Sequence, residues 1–354
     1  MSKTSPTPEK HISFIEKQTV ANVLAEKPNI QLLIQLPVNA TVEEAFDLLL
    51  AENILSVPVY RIWKGHREPI ALVSAFDLVT FVCLQFNEPD NQESFNEKSI
   101  FLQKSVGELI GLSPESTHLT IRHPSDSLKE LLVLFTHHKV HRVLVTSQVP
   151  SSPNETVINE DLIQPCFISQ TDVIRFLVKN NHRLGEILDI SASKVANRAS
   201  LSRQGGSVAL STITIHDQAL TAFRKIYEDK VNAVAILNDE GMLVGEISAA
   251  DLRGLNRSRL NDLEKPVVMF MNTCKGGLVK PLTCREKYTL SQVMSGIMLR
   301  KVHRAWLLDD DNIPIGVITL SDILYMFLSP ETSITKQQEN NSFSPYSLSS
   351  SFHH

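Results

Sequence analysis

One short pattern occurs four times in the sequence, and this repetition limits the available folds more than any other feature. Each copy consists of an apolar strand, then Ser or Thr, two variable residues, Asp, and an apolar helix. The copies are IALVSAFDLVTFV (70–82), CFISQTDVIRFLV (166–178), GEISAADLRGL (245–255) and GVITLSDILYMFL (316–328). A repeated unit of this kind predicts an architecture built from stacked copies.

A second helix is predicted upstream of each copy, from apolar residues spaced i, i+3, i+4 after a polar starter. The predicted caps are Thr41 in a capping box with Glu44, Ser125, Asp217, and Thr289 in a capping box with Gln292. Strands rich in β-branched residues follow these helices, at 56–62, 140–147, 231–237 and 302–308. Each repeat is therefore helix, strand, turn, strand, helix, which is an α/β (α+β) unit.

Such a unit has one sheet face to cover, so adjacent repeats are expected to pair into two compact modules. The boundary between the modules is placed in the Ser- and Gly-containing stretch 191–207. Polar insertions at 88–98 and 147–164 are expected to lie outside the core. The resulting domains are a disordered N-terminus at 1–18, a first module at 19–182 with repeats at about 30–83 and 116–180, a second module at 183–330 with repeats at about 208–256 and 278–329, and a disordered Ser- and Asn-rich tail at 331–354.

Composition excludes several classes of function. The chain of 354 residues carries a formal net charge of −5, so it has no global attraction to nucleic acid or to an anionic membrane. No stretch approaches the roughly 18 to 20 apolar residues of a membrane span, and none of the four cysteines forms a C-x-x-C pair. We expect reduced thiols, no metal site, no nucleic-acid or membrane partner, and a cytoplasmic location, with the nucleus also open.

The Ser/Thr-x-x-Asp motif has two interpretations. Taken singly it is an N-cap, because the hydroxyl accepts from free helix amides and the carboxylate favours the positive helix end. Repeated four times, it predicts helix N-termini that can take an anion, each with a carboxylate able to accept from two vicinal hydroxyls of a ribose. The candidate carboxylates are Asp77, Asp172, Asp251 and Asp322, and the candidate hydroxyls are Ser74, Ser169, Ser248 and Thr319.

A His-Arg pair stands at matching places in the even repeats only. The pairs are His141 with Arg142 and His303 with Arg304, where the odd repeats have Leu55-Ser56 and Asn232-Ala233. A lone pair of this kind is usually a surface feature, but two in register within apolar strands predict an anion site. Arg offers a planar fork for phosphate and His adds a further donor, so the pairs are candidate phosphate ligands.

These residues resemble a known family, the tandem cystathionine-β-synthase (CBS) domains, and among them the γ subunit of AMP-activated protein kinase with its fungal and plant relatives. The resemblance covers roughly residues 20 to 330. Its most specific part is the fourth repeat, EKYTLSQVMSGIMLRKVHRAWLLDDDNIPIGVITLSDIL, and KVHRVLV of the second repeat is similar. The resemblance implies two Bateman modules that form a flat pseudo-symmetric disk of four CBS motifs, with AMP, ADP or ATP in the clefts.

By position, the resemblance implies that the four aspartates bind the ribose hydroxyls and that the two His-Arg pairs bind the phosphates. It places the four cap hydroxyls near the ribose or the phosphate. Two departures bear on occupancy. The family's kinase subunit has a basic residue where this chain has Asp172, and Ala71 and Cys166 replace the glycine kept at Gly245 and Gly316.

The leading function is a non-catalytic regulator that needs no cofactor, binds adenine nucleotides and signals energy state to a partner. Three kinds of protein partner are possible: a protein kinase catalytic or scaffold complex, a phosphatase, or a second copy of this chain joined through the CBS modules. The alternative is a stand-alone scaffold or protein-phosphatase regulator with structural or vestigial sites. A nucleotide hydrolase is the third class, and the sequence shows no catalytic base or metal constellation for it.

Overall fold

The computed structural model describes residues 10–28, 33–86, 99–146, 165–196 and 210–328. Each repeat folds as a three-stranded sheet with one helix between its first and second strands and another after its third. The first strands are Leu36–Pro37, Ile121–Arg122, Thr212–Thr214 and Thr283–Arg285, and the helices after them are Val42–Ala51, Leu128–His137, Ala219–Glu228 and Leu290–Arg300. The hairpins are Ser56–Trp63 with His66–Ser74, Arg142–Val145 with Cys166–Ser169, Ala233–Leu237 with Leu243–Ser248, and Arg304–Leu308 with Pro314–Thr319.

The short first strand of each repeat was absent from the sequence prediction. It pairs in parallel with the second strand, which pairs antiparallel with the third. These first strands have only two or three residues, too few to show the alternating pattern by which strands are recognised in sequence.

The second helix of the third repeat is shorter than its counterparts. The second helices are Ala75–Gln85, Gln170–Lys179, a 3-10 turn at Ala249–Leu252, and Leu320–Tyr325. The third ends early because Gly254 has a left-handed backbone (φ +73°) and lies against Leu50 of the first repeat. Any other residue at Gly254 would be strained by this positive φ, and its side chain would also displace the Leu50 side chain, so glycine is favoured at this close approach.

The caps of the first helices agree with the prediction in two repeats and differ in two. Thr41 with Glu44 and Thr289 with Gln292 form the predicted capping boxes. The cap of the helix beginning at Leu128 is Ser127 rather than Ser125, and the helix beginning at Ala219 starts after Gln218. Asp217 instead accepts hydrogen bonds from the backbone N–H and hydroxyl of Thr214, which stabilises the preceding turn.

The segments that lead into each repeat cross over to the other repeat of the same module. Val20–Ala25 precedes repeat one but packs on repeat two, and Val267–Lys275 precedes repeat four but packs on repeat three. Backbone hydrogen bonds hold each crossing segment to the other repeat at four equivalent places. These are the isolated antiparallel bridges Thr19 to Ser127, Thr41 to Ser105, Gln218 to Pro266 and Ser191 to Thr289. The exchange joins repeats one and two, and repeats three and four, as modules.

The two large hydrophobic clusters connect the modules rather than divide them. One cluster joins helices of repeats one and three, and the other joins helices of repeats two and four. Phe223 of repeat three and Val79 of repeat one belong to the first cluster and are fully buried. A small third cluster, formed by Ala235, Trp306 and Leu308, joins the sheets of repeats three and four. The repeats thus pack their helices across the molecule, and in the second module the two sheets also pack against each other.

The N-terminal region is more ordered than predicted. Lys10–Ile15 is a helix whose Phe14 stacks on Phe176 of repeat two, with ring centroids 5.8 Å apart. The predicted disorder of 1–18 is therefore wrong from residue 10 onward, because one turn of helix is too short to show an apolar period. The predicted insertions 88–98 and 147–164 and the tail 331–354 lie outside the described residues.

Two further predictions concern cysteines and membranes. All four cysteines fall within the described ranges, and each is a free thiol. Among the residues that the structure describes, no helix combines the length and apolarity needed to cross a membrane.

Candidate functional site

The Ser/Thr-x-x-Asp motif forms the same capping box in every repeat. One carboxylate oxygen, Oδ2, accepts from the cap residue's backbone N–H at 2.8–2.9 Å and from its hydroxyl at 2.6–3.0 Å. The boxes are Ser74 with Asp77, Ser169 with Asp172, Ser248 with Asp251, and Thr319 with Asp322. The capping interpretation is correct for all four aspartates, so a ribose would have to use the other oxygen, Oδ1.

The His-Arg pairs lie where each sheet meets its capping box. Arg142 is directly opposite Ser169 in the strand ladder, and Arg304 is directly opposite Thr319. Directly opposed residues lie on the same face of a sheet, so each guanidinium shares a face with the cap hydroxyl of its own repeat. The strands begin at the arginines, so His141 and His303 precede the strands rather than lying within them as predicted.

Repeats two and four bring their helix starts into contact. The Gln170 Nε2 atom donates a hydrogen bond of 2.8 Å to the Ser321 hydroxyl. Gln170 follows the cap Ser169, and Ser321 precedes Asp322. Since each arginine faces its own cap, this contact places the two His-Arg pairs near one another, which is the arrangement that a shared phosphate site needs.

Asp77 of the first repeat is enclosed in the protein. Its Oδ1 atom accepts a 2.7 Å hydrogen bond from the Ser116 hydroxyl, which is carried by the segment leading into repeat two. Asp77 and Ser116 both have no exposed surface, and Ser74 is also buried. Burial raises the pKa of Asp77, and the hydrogen bonds from Ser74 and Ser116 act in the opposite direction. The structure does not support the predicted ribose role of Asp77, because both oxygens are bound by buried serines.

Asp172 of the second repeat is surrounded by cations. Lys27, which follows the crossing helix Val20–Ala25, donates to the Asp172 Oδ2 atom at 3.2 Å and to the Phe167 carbonyl at 2.6 Å. Arg175 donates to the Asp172 Oδ1 atom at 2.8 Å. Burial alone would raise the pKa of Asp172, but Lys27 and the hydrogen bonds from Ser169 hold it below its usual value. A ribose at this carboxylate would displace charged partners.

Asp251 of the third repeat has one cationic partner. Lys275, the last residue of the crossing helix, lies 2.5 Å from the Asp251 Oδ1 atom. The carboxylate side chain is only 2% exposed, whereas Lys275 is 39% exposed. Asp251 therefore pairs with a partly exposed cation at the oxygen that a ribose would use.

Asp322 of the fourth repeat is 6% exposed and completes its box with Thr319. The segment leading into repeat three includes 197–209, which lies outside the described residues. A contact from a crossing segment to the cap aspartate is therefore described for Asp77, Asp172 and Asp251.

The first His-Arg pair is held by a buried glutamate. The Glu115 carboxylate accepts from the His141 backbone N–H at 3.1 Å and pairs with the His141 Nδ1 atom at 2.9 Å. Burial would raise the pKa of Glu115, but His141 and Arg142 lower it overall. The Arg142 Nε atom is buried and has no hydrogen-bond partner among the described residues. Arg142 thus carries a donor that an anion could satisfy.

The second His-Arg pair is anchored by a glutamate of the neighbouring repeat. Glu246 accepts from the Trp306 Nε1 atom at 2.6 Å and from the Arg304 Nη1 atom at 3.3 Å. Trp306 is almost fully buried, so its indole fixes the carboxylate, and the carboxylate in turn orients Arg304. Each even repeat therefore has one base of its pair positioned by a carboxylate.

Arg253 joins this group, and the sequence analysis did not identify it. Its guanidinium donates to the carbonyls of Ala250 at 2.9 Å and Ile54 at 3.1 Å, and to the Asn53 side chain at 3.1 Å. Arg253 follows the Asp-Leu of its repeat, where the other repeats have Val79, Ile174 and Leu324. An arginine at a position that is apolar in the other three repeats was the sequence signal for Arg253, because a cation at an otherwise buried position needs a partner.

The bases converge on His303. Desolvation and then the nearby positive charges of Arg304, Arg142, His141 and Arg253 together lower the pKa of His303 to about 4. His303 is itself exposed to solvent, so the lowering depends on the neighbouring positive charges as well as on desolvation. We name these five residues the basic cluster: His141, Arg142, Arg253, His303 and Arg304. It draws bases from repeats two, three and four.

The lowered pKa of His303 predicts a dependence of stability on pH. An unfolded histidine titrates near pH 6.5, whereas folded His303 titrates at about 4. Between these values the unfolded chain binds a proton that the folded chain does not, so stability present above pH 6.5 falls as the pH drops toward 4. Urea unfolding of wild type and His303→Gln at pH 7 and pH 5 should show a smaller loss in the variant. Equal losses in both proteins would contradict the assignment.

The four-repeat fold resembles that of tandem CBS-domain proteins. The CBS domain family model matches residues 271–329, which include the fourth repeat. Within this class, the chain resembles the γ subunits of AMP-activated protein kinase. It is 25% identical over 328 residues to the 5'-AMP-activated protein kinase subunit gamma of Kluyveromyces lactis, covering 90% of this chain and 91% of the relative.

Two further comparisons agree. The 5'-AMP-activated protein kinase subunit gamma of Saccharomyces cerevisiae is 24% identical over 317 residues, covering 89% of this chain and 91% of the relative. The crystal structure of a protein from Methanocaldococcus jannaschii superimposes with a TM-score of 0.63 at 16% identity, covering 86% of this chain and 99% of that one. That structure establishes the shared fold.

Proposed function

We propose that this chain is a regulatory protein without catalytic activity that binds adenine nucleotides and signals their level to a protein partner. The carrying observation is the basic cluster, in which bases from three repeats converge and the buried Arg142 Nε–H has no hydrogen-bond partner within the part of the chain that the structure describes. A phosphate chain would satisfy these donors, since guanidinium groups bind phosphate in a bidentate manner. The cap carboxylates beside the cluster suit a ribose, so a nucleotide fits better than inorganic phosphate.

The resemblance to γ subunits supports the adenine base and a kinase complex as the partner. A cytoplasmic or nuclear location belongs to the same proposal. Among the aspartates, Asp322 and Asp251 are the favoured ribose ligands, Asp172 is less favoured because Lys27 and Arg175 both hold it, and Asp77 is a structural residue.

One observation favours the alternative of a scaffold or phosphatase regulator with structural sites. The first cleft is closed by the buried contact between Ser116 and Asp77, so at least this site stabilises the fold rather than binding a ligand. The second and third clefts differ, because partly exposed cations contact Asp172 and Asp251 there.

Calorimetric titration with AMP, ADP and ATP tests the proposal. Wild type is expected to release or take up heat and to gain thermal stability, by about 2.7 kcal/mol when the free nucleotide is 100 times Kd. Asp322→Asn should bind roughly tenfold more weakly, because it loses a charge-assisted acceptor. No heat and no stabilisation with any of the three nucleotides would contradict the proposal, and turnover of ATP would indicate an enzyme.

A further inference from the structure

The crossing segments place a different donor on each of three aspartates. A serine reaches Asp77, whereas lysines reach Asp172 and Asp251. Lys27 and Lys275 occupy equivalent places, since each comes at or just after the end of a crossing helix and reaches the other repeat of its module. Besides the cap, each of these three carboxylates therefore has a partner from the segment that leads into the other repeat of its module.

The contact between Lys275 and Asp251 is the simplest of these. Asp251 uses Oδ2 for its own cap, and Lys275 holds Oδ1, the oxygen that a ribose would need. Hydroxyl groups that take over Oδ1 would separate the lysine from a carboxylate that is 2% exposed. Removing one partner of a buried charge pair is unfavourable unless the other finds a new partner.

A phosphate group supplies that new partner. The lysine side chain is a flexible stem with a compact charge, and its 39% exposure leaves it room to move from the carboxylate to a ligand phosphate. A nucleotide thus exchanges one ion pair for another, whereas an uncharged nucleoside leaves the ammonium without a partner. The second cleft differs, because Lys27 contacts the capping oxygen Oδ2 of Asp172 and Arg175 holds Oδ1.

We propose that Lys275 makes the third cleft selective for phosphorylated over unphosphorylated adenosine ligands. This inference rests on the proposed function and adds a residue that determines specificity. The first cleft gives the contrast. Its aspartate, Asp77, is held by the uncharged Ser116 hydroxyl, and both residues are fully buried, so this contact has no cation that could move to a ligand phosphate.

The test compares AMP with adenosine on the full chain, in an Asp322→Asn background that weakens the fourth cleft. Calorimetry gives the two affinities, and the amide resonances of Ser248 and Asp251 report binding at the third cleft. With Lys275 present, AMP should bind about 10- to 100-fold more tightly than adenosine, the range expected for a charged hydrogen bond. Lys275→Met should reduce that ratio at least fivefold, by weakening AMP and strengthening adenosine.

Three further variants control the comparison. Lys265 lies in the same leading segment, and its Nζ atom pairs with the Asp262 Oδ1 atom at 2.7 Å. Lys265→Met should leave the ratio of AMP to adenosine affinity unchanged. Lys275→Arg keeps the charge and should keep most of the selectivity. Lys275→Gln keeps a donor for the Asp251 Oδ1 atom without the charge, so it carries the test if Lys275→Met does not fold.

The outcomes separate this inference from the proposed function. If wild type binds neither AMP nor adenosine, the proposed function fails and the inference fails with it. If both ligands shift the Ser248 and Asp251 resonances but the ratio is the same in wild type, Lys275→Met and Lys275→Gln, only the selectivity of Lys275 is overturned. A reduced ratio in the two uncharged variants together with an unchanged ratio in Lys265→Met supports it.

Discussion

Replacing Arg304 with alanine is expected to weaken AMP, ADP and ATP binding by about 10- to 100-fold, because each charged hydrogen bond to a phosphate contributes roughly 1.5–3 kcal/mol. Arg304 lies opposite the cap Thr319 and is oriented by Glu246. No other described residue places a guanidinium opposite the fourth cap. Isothermal titration of both proteins under matched salt gives the two affinities.

The control for this variant is Arg300→Ala, which removes the same charge from the end of the preceding helix, where Arg300 donates to the Lys280 carbonyl. It should bind nucleotides as wild type does. Equal weakening in both variants would mean that net charge, rather than the position of Arg304, governs the affinity. Unchanged binding in Arg304→Ala would remove the basic cluster from the proposed site.

Replacing Asp77 with alanine is expected to lower the free energy of unfolding by about 3 kcal/mol and to leave nucleotide affinity unchanged. Loss of the cap contributes about 1 kcal/mol, and the buried Ser116 hydroxyl loses its carboxylate acceptor, which costs a further 1–3 kcal/mol. The contact ties the leader of repeat two to the sheet and helix of repeat one. Urea unfolding measures the first effect, and titration with AMP measures the second.

Asp47→Ala provides the comparison, since Asp47 is exposed on the first helix of the same repeat. It should change stability little, because exposed positions away from caps and partners usually contribute within about 0.5 kcal/mol. If Asp77→Ala instead lost a binding site at nearly unchanged stability, Asp77 would be a ligand and the first cleft would be open.

The two predictions distinguish residues that the sequence treats as equivalent. The capping box of the Ser/Thr-x-x-Asp motif is as predicted in all four repeats, because capping depends on residues three positions apart; the predicted α-helix follows it in three of them, and a 3-10 turn in the third repeat. The same local reasoning identified the capping boxes of Thr41 and Thr289. It selected the wrong residue near Ser127, where polar candidates two positions apart both precede the apolar run.

Long-range contacts account for what the sequence reading missed. Arg253 became a candidate only once its carbonyl partners in repeat one were visible. Glu115 and Glu246 gave no sequence signal, since an acidic residue in a short turn or on an edge is unremarkable until a base or an indole is found against it.

The sequence alone determined the repeat count, the order of the main helices and strands, the four capping boxes and the presence of two His-Arg pairs. All of these follow from short-range periodicity and from hydrogen bonds within a few residues. Only the tertiary structure decided which repeat supplies the second donor to Asp77, Asp172 and Asp251, and so which of these carboxylates face a buried serine or a partly exposed lysine. The reason is that the leaders cross between repeats, and side chains that meet at Asp77, Asp172 and Asp251 are separated by 39, 145 and 24 positions along the chain.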